Sequence, residues 1–357
     1  MVKTNRIAIA IAFGYISFII GAGYASGQEI LQFFANYGVW SYFAALLAGL
    51  IITFFITQTS KLGYVIQTES YQIALGRLLG NKIAYVFDYI LIFFLYGLSV
   101  IMIAGTGSAL YDGFAVPTWI GSLITIILLF IFLQFDFTRI VKILGSITPF
   151  LIIVVFIIAG YNVLNPTIPL SEVSQYTDIN RAPSGWWVWD AINYAGLVIA
   201  NSFAFFIIIG ATNENYAVSK RAPLFGGLLF TLLLVLMTAG LVANLEVANN
   251  VDIPTFFLAE QIHPAVRLLM AAIMVGVLFN AVIGVLFPFV KRFTKVYSKE
   301  YKIMMAISLI VAYIISFVGF IDLVNFFYPI FGYIGIVLSI VFLGRWIYNM
   351  FTDKKLL

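Results

Sequence analysis

The sequence predicts an all-α polytopic membrane protein with ten transmembrane helices, and three observations carry that prediction. Of 357 residues, 63% are hydrophobic and 10% are charged, and the mean hydropathy is +1.06. The apolar stretches run to about 20 residues, the length that crosses about 30 Å of hydrocarbon. A membrane β-barrel has alternating segments of about ten residues instead. The basic residues then segregate by side, as the order of the spans makes plain.

Charged and Gly/Pro/Asn clusters punctuate the chain into spans over 6–36, 38–60, 83–111, 117–135 and 139–163, followed by 187–211, 222–245, 264–291, 302–320 and 325–349. The connections are short except at 61–82, 164–186 and 246–263. Asn165–Ser184 holds three prolines and mixed polarity and reads as an external lid. Pro254 with Phe256, Phe257 and Leu258 predicts a short external helix before the eighth span. With the N-terminus in the cytoplasm, only Arg181 and Arg267 of the 19 lysines and arginines fall outside. A wrong span count would scramble that bias, so ten spans with both ends cytoplasmic are expected. Residues 1–357 then form a single transmembrane domain: a first repeat over about 6–163, the lid over about 164–186 and a second repeat over about 187–349. Five plus five spans imply an inverted repeat, and with it a sixth helix broken like the first. Lys3, Arg6 and the small pair Gly23 and Ala25 also fit a cleavable signal; the expectation is that this segment is kept as the first span.

Composition excludes several functions. There are no cysteines and one histidine, His263, so thiolate chemistry and histidine-rich metal sites are out. The chain lacks a Walker lysine loop, a Ser-His-Asp set and an HExxH motif, and no enzyme is expected. The net charge of +4 comes from loop lysines and arginines and does not indicate a nucleic-acid partner.

The functional signal lies in the first span. Its apolar run ends in Gly21-Ala22-Gly23-Tyr24-Ala25-Ser26-Gly27-Gln28-Glu29. Glycine costs about 1 kcal/mol relative to alanine inside a helix, and a carboxylate at mid-bilayer costs several kcal/mol unless paired, hydrated or protonated. The pattern predicts a broken helix at the midplane, where transporters hold their substrates. Glu29 is a proton carrier or a counter-charge for an amine, or it completes a capping box with Ser26 three residues earlier. In the sixth span, Asn193-Tyr194-Ala195-Gly196 and Asn201-Ser202 are candidates for lining a site or for gluing helices together. Asp88 is a candidate inner gate with Arg139 or Lys82. Tyr96 on the third span needs a hydroxyl partner and is a candidate substrate contact. Trp40, Trp119, Trp186, Trp187 and Trp189 read as an interfacial belt, with an aromatic cage for a quaternary ammonium, aided by Asp190, as the alternative.

Ten helices, a first helix broken at Gly-Ala-Gly and a lid before helix six resemble the amino acid–polyamine–organocation superfamily, which has the LeuT-type fold. The string Gly21–Glu29, followed by Leu31-Gln32-Phe33-Phe34, resembles the YkvI-type bacterial membrane proteins. This resemblance implies that Gly21, Ala22, Gly23, Tyr24, Ser26 and Gly27 face substrate or ion, with half-helix amides holding an anionic group. It also implies that helices one, two, six and seven rock as a bundle. Sodium-coupled members carry a hydroxyl on helix eight; here Leu278–Gly284 offers only Asn280 as a polar ligand. Lys142, on helix five, reads as snorkelling to the interface.

The expectation is therefore a secondary transporter of a small amino acid, amine or related zwitterion, without a cofactor, with protons as the coupling ion and sodium as the second choice. It would sit as a monomer or homodimer in a bacterial cytoplasmic membrane. A ligand-sensing receptor subunit of the germinant-receptor type is the alternative.

Overall fold

The computed structural model describes residues 2–20, 22–67, 70–135, 148–213, 215–251 and 253–352. All secondary structure among them is helical. The expected first span is three pieces, α1 (Val2–Ile19), α2 (Ala22–Ser26) and α3 (Gln28–Phe33). Next come α4 (Trp40–Ile66), α5 (Tyr71–Leu79), α6 (Asn81–Phe114), α7 (Thr118–Phe132) and α8 (Thr148–Leu164). The second half holds α9 (Trp187–Thr212), α10 (Tyr216–Val242), α11 (Leu245–Ala248), α12 (Pro254–Glu260), α13 (Pro264–Phe293), α14 (Lys299–Ser316) and α15 (Phe320–Thr352). Six of these are long and apolar enough to cross a membrane alone: α4, α6, α9, α10, α13 and α15. Stretches of α1, α7 and α8 are shorter apolar helices.

Local chemistry explains the ends. His263 caps α13, its Nδ1 accepting from the Ala265 amide at 3.1 Å, and Pro264 follows at the first position. The lone histidine is thus a cap. Asn215 and Ser298 cap α10 and α14 in the same way. Gly319, with φ +106, turns the chain between α14 and α15. This places the boundary a few residues earlier than expected, because the apolar run continues through the turn. The short α5 was not expected.

The helices form two groups. α4 packs on α9 and α10, α10 on α1, and α9 on α15; α6 packs on α13, α7 and α14. Glycines let backbones meet where α4 crosses α9 (Gly63 on Ile207, Gly210 on Ser60) and where α9 crosses α15 (Gly196 on Gly332, Gly335 on Gly196). The outward stripe of α14, with Ile303, Ile307, Ile310 and Ile314, is exposed; such a face suits lipid and not water.

One expectation needs correction. The sixth span is not discontinuous: α9 runs as one helix from Trp187 to Thr212. Gly196 serves the close approach to α15 and causes no break. Ser202 satisfies its hydroxyl inside the helix, donating to the Val198 carbonyl at 2.6 Å. Residues 139–147, with Arg139 and Lys142, lie outside the described residues, as do Gly21 and Asp252.

Candidate functional site

The site begins at the breaks of the first span. The chain bends at Ile20, and Gly27 adopts φ +85, a conformation costly to any residue with a side chain. A methyl on Gly27 would also meet Pro254 Cβ at 3.2 Å. A broken helix leaves carbonyls without helical partners; Thr255, on α12, donates its hydroxyl to the Ala25 carbonyl at 2.7 Å. Ser26 Oγ accepts from the Gln28 amide at 3.2 Å.

Glu29 lies in the first turn of α3 and is 6% exposed. Gly27 stands at the N-cap position of α3, and the side-chain bond to its first turn is the one from the Gln28 amide to Ser26. Glu29 Oε2 accepts from the Tyr194 hydroxyl of α9 at 3.0 Å. Tyr328, on α15, supplies a second side-chain hydrogen bond. Tyr194 is locked between Phe33 and Phe34, with ring centroids 5.4 and 4.9 Å away. Tyr24, fully buried and packed on Phe230, neighbours the same carboxyl group. No basic side chain pairs with Glu29 among the described residues. A buried carboxylate without a counter-charge needs a proton or a cation.

Outside this cluster, a cavity of about 730 Å³ opens between α3, the lid, the 249–251 segment and the start of α15. Gln28 and Gln32 line its floor; Asn180 and Arg181 come from the lid, and Asn325 and Pro329 from α15. The lid is clasped down. Asn36 and Asn249 exchange amide hydrogen bonds at 3.1 and 2.9 Å, and the Asp178 amide donates to Asn36 Oδ1 at 2.9 Å. Buried Asp190 accepts from the Tyr37 hydroxyl and the Ser184 amide.

The opposite end is closed. Tyr15, fully buried on α1, shares a 3.0 Å hydrogen bond with Ser60 of α4. Fully buried Asp88 is bound by Arg292 Nε at 2.9 Å and Nη2 at 2.6 Å. Its partner is thus Arg292 and not Lys82, which is exposed; the α6–α13 crossing puts the last turn of α13 beside it.

The other expected residues scatter. Tyr96 is not at the cluster: its hydroxyl donates to the Ser308 carbonyl at 2.9 Å and its ring stacks on Phe289. Asn201 is buried on α9, its Oδ1 without a hydrogen-bond partner among the described residues, while Ser202 is turned to its own helix. Asn280 is buried on α13, which packs against α2. Ala22 and Gly23 form the start of α2. Trp40 and Trp187 stack on each other at 5.4 Å and Trp186 is exposed, so these rings do not face a shared centre as a cage requires. Sequence reading missed Tyr328, Gln32 and Thr255, and gave Tyr194 no role of its own.

Fold and site together define a multi-pass, all-α membrane protein built around a broken first helix. No family model matches the chain. It is 27% identical over 345 residues to YkvI of Bacillus subtilis, described as an uncharacterized membrane protein, with 96% of each chain covered. It is also 27% identical over 329 residues to the uncharacterized protein YyaD of the same organism, covering 91% of this chain and 93% of that one. In structure it resembles mutants of a manganese transporter from Eremococcus coleocola, with TM-score 0.64, 15% identity, and coverage of 95% of this chain and 78% of that one. This likeness shows a shared fold.

Proposed function

We propose that this chain is a secondary transporter that moves a small amino acid, amine or related zwitterion by alternating access across a bacterial cytoplasmic membrane. The proposal includes ten spans in a five-plus-five inverted arrangement with both ends cytoplasmic. The observation that carries it is Glu29: a buried carboxylate with no basic partner among the described residues, set at a helix break and held by hydroxyls from two other helices. Such a group exchanges its neutralising cation or proton whenever its surroundings open. The cavity beyond Gln28 and Gln32 is the outer approach, and the Tyr15–Ser60 and Asp88–Arg292 contacts close the inner one. Rocking of the group around α4, α9 and α10 against the group around α6 and α13 would open each in turn.

Protons are the favoured coupling ion, because Glu29 is a titratable group that needs no further ligands. Sodium would draw on Asn280. The manganese named for the structural neighbours is not carried over: among the described residues no group of three or more His, Cys, Asp or Glu side chains converges, whereas transition metals select such donors.

Uptake of radiolabelled amino acids and amines into proteoliposomes under an imposed pH gradient tests the reading. Glu29→Gln is expected to abolish dependence on the gradient. Full dependence in that variant would remove the proton role, and saturable binding without flux in the wild type would favour a receptor.

A further inference from the structure

We propose that the 730 Å³ outer cavity is a binding site for a small zwitterion, which docks with its carboxylate on Arg181 of the lid and its ammonium pointing down to Gln32 and the Asn325 carbonyl. This rests on the transporter reading for its purpose, though not for its chemistry. Among the described residues, Arg181 is the one charged side chain lining the cavity. Its Nη2 is fixed on the Asn249 carbonyl at 2.6 Å and its Nε lies 3.6 Å from Asp178. The guanidinium is thus oriented through Nε and Nη2, which leaves its Nη1 side to meet a carboxylate. The rest of the polar lining is carboxamides, which donate and accept without adding charge.

The floor has the opposite character. Gln32 is 6% exposed and lines the cavity, and its Oε1 has no hydrogen-bond partner among the described residues. A buried acceptor left open costs free energy until a donor arrives. Pro329 has no amide hydrogen and cannot complete the helical bond to the Asn325 carbonyl four residues earlier, and both residues line the cavity. A guanidinium at the rim and acceptors at the floor match a molecule that is negative at one end and positive at the other.

The polarity also assigns the end that leads. A helix N-terminus ordinarily draws an anion. Here the first turn of α3 already holds Glu29, and the Gln28 amide is taken by Ser26. The carboxylate of an incoming solute therefore finds its partner at the lid, and the ammonium goes inward.

Titration calorimetry on the detergent-purified full chain tests this with glycine, L-alanine, L-serine, β-alanine and γ-aminobutyrate, each measured beside its decarboxylated amine. At least one zwitterion is expected to bind about tenfold or more tightly than its amine, the margin of one charge-assisted hydrogen-bonded pair. Arg181→Gln should erase that margin while leaving amine affinity unchanged, and Arg181→Lys should restore part of it. Gln32→Leu should weaken zwitterion and amine alike. A margin that survives Arg181→Gln, or a wild type in which no zwitterion outbinds its amine, would overturn the proposal. Uptake that depends on Glu29 and ignores Arg181→Gln would sink this inference and leave transport standing. Arg181-dependent binding without flux would do the reverse.

Discussion

Tyr194 shows how much of the site hangs on single atoms. Its ring is held by Phe33 and Phe34, so Tyr194→Phe keeps the packing and removes only the donor to Glu29. A hydrogen bond to a charged group is worth about 2 kcal/mol. Uptake by that variant is expected to fall by roughly tenfold, while its melting temperature in detergent barely moves; wild-type uptake would contradict the assignment. Gly27→Ala should behave in the opposite way. It forces a side chain into φ +85 against Pro254, at a cost of about 1 kcal/mol or more, and should lower the melting temperature. Glu29 was legible in the sequence because an acid inside an apolar run is anomalous on sight. Its partners were not: Tyr194 is 165 positions away, and a chain with 20 tyrosines gives no reason to prefer two of them.

At the scale of elements, the same residue types misled in one helix and guided in another. Gly21–Gly27 and Asn193–Gly196 both read as breaks. In the first span the break is real, because Gly27 takes a conformation that glycine alone adopts freely. In α9 the glycine lies against Gly332 and Gly335 of α15, and the helix stays continuous. One sequence cannot separate a glycine that bends from a glycine that admits a neighbour, since the neighbour lies more than a hundred residues further on. Gly196→Val should therefore cause misfolding and not altered transport, because its side chain would collide with the α15 backbone. Size-exclusion chromatography of the variant checks this: a monodisperse, folded peak would argue against the crossing. Tyr96 was misplaced for a related reason. The sequence put it on α6 in need of a hydroxyl partner, but only the packing of α13 and α14 decides what it meets.

The whole molecule is where charge decides. Removing one partner of a buried ion pair costs about 3–5 kcal/mol, and Arg292→Gln should fall at the low end because Arg292 is 27% exposed. A lowered melting temperature that Asp88→Asn partly recovers in the double variant would identify an uncompensated buried charge; no recovery would point to lost packing instead. The proposed topology can be tested without background labelling, since the chain has no cysteine. In intact cells a membrane-impermeant maleimide should label Glu172→Cys in the lid and spare Lys295→Cys until the cells are opened. Equal labelling of both would break the assignment. The apolar helices were largely legible because hydropathy is summed over many residues. The grouping of helices was not, because lipid-facing and buried faces are both apolar here.

The hydroxyl of Thr255 has a consequence beyond tidying a stray carbonyl. It fastens α12, external in the proposed topology, directly to Ala25 in the break of the first helix. In that topology the membrane surface has a handle on the membrane interior, one hydrogen bond long. An antibody fragment that clamps α12 would arrest the break from outside without entering the cavity, and would act as a non-competitive brake on whatever passes Glu29.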